Sequence, residues 1–298
     1  MTNPSLFLRG GIFLAVHAGA LARIHALCRL APQPWLSPFT ASRRRANVLA
    51  RLGAQTRTTP MAANNKVQAL LFDVFGTVVD WRSSIIEDMT RFAAERSINA
   101  DWAGFADDWR GLYQPAMEEV RSGRRPWTIL DVLHRESLDK LAPSYGLAGL
   151  SEADMRHLNA AWHRLKPWPD AVAGLTRLKS RYIIGTLSNG NVGLLTRMAK
   201  HGGLPWDVIL GAETARAYKP LPQAYLASAE LLNLEPFQVM LVAAHNGDLA
   251  AAAACGLRTA FVARPTEYGP HQQRDFKADR EWDVVADSFL SLAKAMGC

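Results

Sequence analysis

Short apolar runs that each end in polar residues are the feature that most constrains the fold of this chain. They have the length of buried strands, and they read VQALLFD (67–73), YIIGTLSN (182–189), QVMLVAAH (238–245) and RTAFVAR (258–264). Two shorter apolar segments could add edge strands or bends, DVILGAE (207–213) and DVVADSF (283–289). Helical patterns separate the runs, at 191–201, 220–233 and 247–255. Strands that alternate with helices predict an α/β fold with a doubly wound, Rossmann-like parallel sheet.

The segment 84–164 has a different pattern, with helical periodicity and no strand-like run. Its tryptophans could supply a helical core: Trp102, Trp109, Trp127 and Trp162. In open α/β sheets the ligand lies outside the carboxyl ends of the strands, so helices inserted after the first strand would cover that site. We therefore predict a core domain, 61–83 with 165–298, and a helical cap domain, 84–164.

The first 60 residues hold eight Arg, no Lys and no acidic residue. This composition is typical of an organellar transit peptide. Alternatively, Met61 is the true start and the upstream segment is a miscalled extension. Under either interpretation, 1–60 is outside the fold and poorly ordered. We expect a cytoplasmic protein, or a mitochondrial or plastid one if the transit peptide is genuine.

The bulk composition excludes several classes of protein. The 34 basic residues include those eight arginines, which leaves 26 basic against 27 acidic residues in the remainder, so no basic face for nucleic acid is expected. No run of 18 uncharged apolar residues is present, so no membrane span is expected. The three scattered cysteines fit neither a disulfide framework nor a zinc site.

Polar residues follow the ends of several strands, and together they form a coherent chemical set. Asp73 follows the first strand and can act as a covalent nucleophile. Lys219 would keep that carboxylate ionised, and Thr77 can donate a hydrogen bond to it. Ser188 can stabilise an oxyanion. The remaining strand-end polar residues are Asn189, His245, Asn246 and Asp248.

These residues lie in motifs that resemble the haloacid dehalogenase superfamily over about residues 66–290. The motifs are DVFGT, LSNG, AYKP with Tyr225, and HNGDLAAAAACG, in the order found in the superfamily. Within it, the chain resembles the type II, L-2-haloacid dehalogenases. The more specific hints are FDVFGTVVDWR, the pair Trp109-Arg110, SNG at 188–190, YKPLPQAY and RPTEYG.

The resemblance implies a two-step hydrolysis of (S)-2-haloacids to (R)-2-hydroxyacids and halide. Asp73 displaces the halide, and water then attacks the carboxyl carbon of the resulting ester. The resemblance assigns halide or substrate contacts to Arg110 and Asn189, and a place in the wall of the site to Tyr225. It places Ser188, Thr77 and Lys219 around the nucleophile, and it associates Asp248 with the hydrolytic water.

Two positions depart from the family pattern. Many members carry Ser-Ser-Asn where this chain has Ala243-Ala244-His245. His245 could assist Asp248 as a general base, or it could merely hydrogen-bond the backbone at the strand end. Phe75 replaces a tyrosine of many relatives and changes one polar atom in the wall of the substrate pocket.

Phe75 also separates the dehalogenase hypothesis from its main alternative, a magnesium-dependent small-molecule phosphatase of the same superfamily. Phosphatases have a second Asp at that position, and magnesium needs several oxygen ligands. We therefore expect no metal and no cofactor. A third alternative is a non-catalytic relative that binds small acids. The family resemblance suggests a homodimer.

Overall fold

The structure is a computed structural model that describes residues 66–298. The segment 1–60 and the alternative start at Met61 lie outside the described residues. Within 66–298, no helix combines the length and the apolar character that crossing a membrane requires.

A parallel sheet of six strands forms the centre of the described chain, in the order β5-β4-β1-β6-β7-β8. The strands are β1 (Ala69–Phe72), β4 (Ile183–Ser188), β5 (Val208–Gly211), β6 (Val239–Ala243), β7 (Arg258–Val262) and β8 (Val284–Ala286). Each strand lies inside one of the six apolar segments singled out in the sequence. The α/β class and the doubly wound parallel sheet are therefore confirmed.

Strand β1 lies in the middle of the sheet, between β4 and β6. Successive side chains of a strand point to opposite faces. Leu70 and Phe72 accordingly enter one hydrophobic core, whereas Ala69 and Leu71 enter another. Because the strand order runs outward from β1 in both directions, the carboxyl end of β1 is the switch point at which a ligand is expected.

Helices cover both faces of the sheet. They are α6 (Ala171–Lys179), α7 (Val192–Gly202), α8 (Ala212–Ala215), α9 (Pro222–Leu231), α10 (Asn246–Ala254) and α11 (Phe289–Ala295). Helices α6, α7 and α11 pack against the Leu70 side, and α9 and α10 pack against the Leu71 side. After α10, Gly256 has a φ of +84°, as expected of a glycine that ends a helix.

The insertion after β1 is helical, as predicted. A two-stranded antiparallel ribbon marks the points where the chain leaves and re-enters the core, β2 (Val79–Asp80) with β3 (Lys166–Pro167). Between these strands lie α1 (Trp81–Ala94), α2 (Trp102–Gly111), α3 (Tyr113–Arg121), α4 (Leu130–Leu141) and α5 (Glu152–Asn159). The Asp80 side chain accepts a hydrogen bond from the Ser83 N–H and starts α1. The helical cap is thus confirmed, while its boundaries at 84 and 164 remain predictions.

Aromatic side chains fill the interior of the cap. Trp109 and Trp162 are fully buried, and Trp102 is nearly so. Trp127 differs from the expectation of a cap-core residue, because its ring packs on Tyr218 of the core domain, with 4.8 Å between ring centroids. Trp81, which was not predicted to join this interior, is buried against Trp162.

Two hydrogen bonds tie the cap to the turn that precedes α9. The Tyr218 hydroxyl donates to the Thr128 carbonyl at 2.7 Å. From the cap side, the Arg121 guanidinium donates to the Lys219 carbonyl at 2.9 Å. The backbone that carries Lys219 is therefore held directly by a cap side chain.

Candidate active site

Asp73 lies directly after β1, at the switch point of the sheet, and its side chain is 9% exposed. Three side chains hold its carboxylate. The Thr77 hydroxyl donates to Oδ2 at 2.8 Å, and Lys219 Nζ lies 2.9 Å from Oδ1. His245 Nδ1 lies 3.1 Å from Oδ2. The structure thus brings together Asp73, Thr77, Lys219 and His245, all of which the sequence singled out as candidate site residues.

The turn after Asp73 explains how Thr77 reaches back to it. Gly76 has a φ of +89°, in the left-handed region that favours glycine. The turn closes with a hydrogen bond from the Val78 N–H to the Val74 carbonyl. Thr77 Oγ1 also accepts from the Ala244 N–H at 2.9 Å, which joins the ends of β1 and β6.

Lys219 bridges two carboxylates. Its Nζ contacts Asp73 Oδ1 and Asp248 Oδ2, and its side chain is 7% exposed. Asp248 also accepts a hydrogen bond from the Tyr225 hydroxyl at 2.6 Å. Burial alone would lower the pKa of Lys219, but the charges of Asp248 and Asp73 outweigh it and raise that pKa above its ordinary value. The lysine is therefore held as a cation.

His245 lies between two carboxylates, one of which was not predicted from the sequence. Its Nε2 is 2.9 Å from Glu267 Oε2, on the side opposite Asp73. The Glu267 side chain is 1% exposed and also accepts from Trp81 Nε1 at 3.0 Å. The RPTEYG motif contains Glu267 and supports the family resemblance, but that resemblance assigned no role to this Glu. Nothing in the local sequence of either residue indicates that they meet across 22 positions.

The two carboxylates determine the charge of His245. Burial lowers the pKa of its imidazole, but Glu267 and Asp73 raise it well above the ordinary value. Burial likewise raises the pKa of Asp73, but Lys219 and His245 together lower it far below its usual range. In the free protein, an imidazolium therefore lies between two ionised carboxylates.

Gly76 leaves the space that Glu267 occupies. A Cβ added at Gly76 would lie 2.0 Å from Glu267 Oε1. One glycine thus serves two purposes, because its φ forms the turn after Asp73 and its missing side chain admits the carboxylate behind His245.

Arg110 lies in the last turn of α2 and is a cap arginine that lines the cavity. Its guanidinium carbon lies 4.2 Å from the ring centroid of Tyr113 and 5.3 Å from that of Trp81. Nη1 is buried and has no hydrogen-bond partner within residues 66–298. Three other cap arginines bond elsewhere: Arg121 to Lys219 O, Arg124 to Glu119 and Arg125 to Glu136.

The remaining predicted residues divide between the wall of the cavity and its support. Phe75 lines the cavity and packs its ring against Tyr113 and Trp162. Asn189 also lines it, and its Oδ1 accepts from the Lys219 N–H at 2.9 Å. Ser188 is fully buried, and its hydroxyl accepts from the Gly190 N–H at 3.2 Å. Its hydroxyl therefore lies in the strand-end turn, and Ser188 is not among the residues that line the cavity.

The cavity above Asp73 has a volume of about 400 Å³. Its walls combine predicted residues with seven that were not predicted: Tyr113, Gln114, Pro220, Gly247, Tyr268, Arg274 and Asp275. Tyr113 and Gln114 belong to α3 of the cap, whereas Tyr268, Arg274 and Asp275 lie in the loop after β7, where the sequence carries no periodic signal.

Comparison with known proteins places the chain in a family. The model of the haloacid dehalogenase-like hydrolases matches residues 67–256. A defluorinating L-2-haloacid dehalogenase of known structure is 50% identical with a TM-score of 0.76, over 78% of this chain and 96% of that one.

Two curated relatives are more distant. (S)-2-haloacid dehalogenase 1 of Pseudomonas sp. (strain CBS-3) is 28% identical over 217 residues, 70% of this chain and 91% of the relative. Hexitol phosphatase A of Escherichia coli (strain K12) is 26% identical over 213 residues, 68% of this chain and 86% of the relative. With its family match and its 50% identity to a solved member, the chain belongs to the haloacid dehalogenase-like hydrolases and, within them, to the L-2-haloacid dehalogenases.

Proposed function

We propose that this protein hydrolyses (S)-2-haloacids to (R)-2-hydroxyacids and halide through an ester on Asp73. The observation that supports this most directly is the pairing of two groups on one cavity. An ionised carboxylate, Asp73, and an arginine with a buried unpartnered donor, Arg110, both line it. Asp73 can act as the nucleophile, and Arg110 can bind the halide ion as it leaves the carbon.

In the first step, Asp73 attacks the carbon that carries the halogen, a carbon–oxygen bond forms, and the carbon–halogen bond breaks. The lowered pKa of Asp73 keeps it ionised over the physiological range. The halide leaves with the bonding electron pair and needs no proton, so Phe75 can stand where a phosphatase has its general acid. Arg110 Nη1 stabilises the developing negative charge in a pocket from which aromatic rings exclude water.

The second step is hydrolysis of the ester, and His245 is the base that faces it. Esterification removes the negative charge of Asp73, one of the two charges that hold the His245 proton. The Nδ1 proton is then released to solvent, while Nε2 still donates to Glu267. Water loses a proton to Nδ1 and attacks the carboxyl carbon of Asp73, which frees the hydroxyacid. Lys219 and Thr77 stabilise the oxyanion that forms on this carboxyl group.

This assignment gives Asp248 a supporting role. Its two oxygens accept from Lys219 and Tyr225, so it positions the lysine beside Asp73. His245 takes the part of the base directly, with Glu267 behind it, and does not act through Asp248. His245 thus stands at the position of the Asn in the family's Ser-Ser-Asn run, and Glu267 supports it from another loop.

The test is halide release from (S)-2-chloropropionate by the wild type and by Asp73→Asn, with the (R)-enantiomer as a control. We expect release from the (S)-acid by the wild type alone. Turnover in water labelled with heavy oxygen should place label in Asp73. Magnesium-dependent hydrolysis of p-nitrophenyl phosphate without halide release would establish the phosphatase alternative instead, and inactivity on both would favour a non-catalytic binder.

Two further expectations accompany this function. We infer a homodimer from the family resemblance, which the mass measured in solution by light scattering would test. A cytoplasmic location, or an organellar one if 1–60 acts as a transit peptide, is tested by fractionation with mass spectrometry of the native N-terminus. Because a solved relative is described as defluorinating, the substrate panel includes fluoroacetate beside chloroacetate.

A further inference from the structure

A second arginine lies at the mouth of the cavity, and the two-step reaction does not use it. Arg274 is exposed and comes from the loop after β7. Within residues 66–298, its guanidinium lies over the ring of Tyr268, 4.1 Å from the centroid, and pairs with no carboxylate. The adjacent Asp275 is already engaged, because its Oδ1 accepts from the Asn246 N–H at 2.9 Å and from Nδ2 at 3.0 Å.

The charges that line the cavity leave two cations without an anionic partner. Lys219 and His245 are paired, the first with Asp73 and Asp248, the second with Asp73 and Glu267. Arg110 has a buried donor without a partner, and Arg274 has no carboxylate partner among the described residues. Because Arg110 receives the leaving halide in the proposed reaction, a substrate with a further carboxylate that reaches the mouth of the cavity would also satisfy Arg274.

The size of the cavity agrees with such a ligand. At about 30 Å³ of liquid volume per water molecule, the cavity of about 400 Å³ holds roughly a dozen waters. A three-carbon haloacid has about half that many non-hydrogen atoms, so it leaves the outer part unfilled. Gly247 lines the cavity, and a Cβ built there meets no atom within 4 Å. The cavity wall at Gly247 is therefore unobstructed.

We propose that Arg274, stacked on Tyr268, forms a subsite for the distal carboxylate of a 2-halodicarboxylic acid such as 2-halosuccinate. The proposal rests on the proposed function and specifies its substrate class. The reaction is unchanged: Asp73 displaces the halide, water cleaves the ester, and the products are a 2-hydroxydicarboxylate, halide and one proton. Arginine suits this task because its planar fork binds carboxylates at two points and stacks on aromatic rings.

The kinetic test compares kcat/KM for (S)-2-chlorosuccinate with kcat/KM for (S)-2-chloropropionate. We expect Arg274→Gln to lower this ratio about tenfold, the lower range for hydrogen bonds to a charged group at a partly exposed site. Arg274→Lys should recover part of the ratio because it keeps the charge. Arg280→Gln is the matched control, since Arg280 is also exposed and stacked on an aromatic ring, Trp282, but lies outside the cavity wall. An unchanged ratio in Arg274→Gln would overturn the proposal.

A binding measurement separates this proposal from the proposed function. Isothermal titration calorimetry measures the affinities for succinate and for propionate, and it needs no turnover. We expect the ratio of the two affinities to fall about tenfold in Arg274→Gln, in line with the kinetic estimate. Equal loss for both acids, or no binding of succinate by the wild type, would refute the subsite even if chloropropionate is dehalogenated. Discrimination between the two acids without any halide release would support the subsite and refute the dehalogenase.

Discussion

Replacing Glu267 with Gln should separate the two chemical steps. Gln keeps the size of the side chain and one acceptor oxygen but removes the charge behind His245. Two unit charges about 4 Å apart interact by about 4 kcal/mol at an effective dielectric constant of about 20. Because Glu267 is 1% exposed and lies 2.9 Å from the imidazole, little of this interaction is screened.

Removing the charge of Glu267 should slow the second step, hydrolysis of the ester. Once Asp73 is esterified, Glu267 is the carboxylate left beside His245, so its removal makes the imidazole a weaker base. We expect kcat to fall about a hundredfold, the lower end of what general base catalysis contributes. The first step does not need a base, so one equivalent of halide should appear in a burst, followed by slow turnover.

The assay is rapid-quench halide detection combined with mass spectrometry of the intact protein. The Asp73 ester should accumulate in Glu267→Gln and not in the wild type. Glu87→Gln is the control, because Glu87 is an exposed carboxylate bonded to Lys166 and far along the chain from Glu267. A wild-type kcat without accumulated ester would refute the role of the histidine–glutamate pair, and a lost burst would show that Glu267 acts in the first step.

Three further outcomes follow from the same geometry. Arg110→Ala should lower the rate of halide release about a hundredfold with little change in thermal unfolding, as for loss of a preorganised donor; wild-type release would point to another cap residue. Gly76→Ala should lower the free energy of unfolding by about 2–4 kcal/mol, because the Cβ meets Glu267 Oε1 and the left-handed φ is strained; denaturant titration with unchanged stability would contradict the account of that turn. The folded pKa of His245 is raised, so its contribution to stability is complete below about pH 6.5 and is lost as the pH rises through the folded pKa. The stability difference between the wild type and His245→Asn should therefore shrink as denaturant titrations move from acidic to alkaline pH; a difference that grows with pH would contradict the sign.

The sheet could be predicted from the sequence because the signals that mark each strand are local. Runs such as VQALLFD and QVMLVAAH are buried on both faces, so they are apolar throughout and end where the chain meets solvent. Polar residues at those ends then had to converge, since parallel strands share one carboxyl edge. The strand pattern therefore sufficed to predict that Asp73 and His245 lie at one edge of the sheet, but not that they contact each other, because the sequence suggested Asp248 or the backbone as the partner of His245.

The partners of these residues depended on tertiary packing. Glu267 lies in a loop without periodicity, and its contact with His245 exists because Gly76 has no side chain. Trp127 is a large aromatic residue within the cap segment, so the sequence suggests that it lies in the cap interior. Its position next to Tyr218 depends instead on how the cap packs on the core. Ser188 is at a strand end as predicted, yet its hydroxyl turns to the Gly190 N–H. The strand pattern places Ser188, but the turn that follows decides which group its hydroxyl contacts.

The hydrogen bonds from Tyr218 to Thr128 and from Arg121 to Lys219 bear on how substrate enters. At about 1 kcal/mol net for each bond, these two contribute about 2 kcal/mol to holding the cap closed, in addition to the packing of Phe75 on Tyr113 and Trp162. Because Arg121 donates to the carbonyl of Lys219, whose amine contacts Asp73, a cap movement that admits substrate would also disturb the lysine beside the nucleophile.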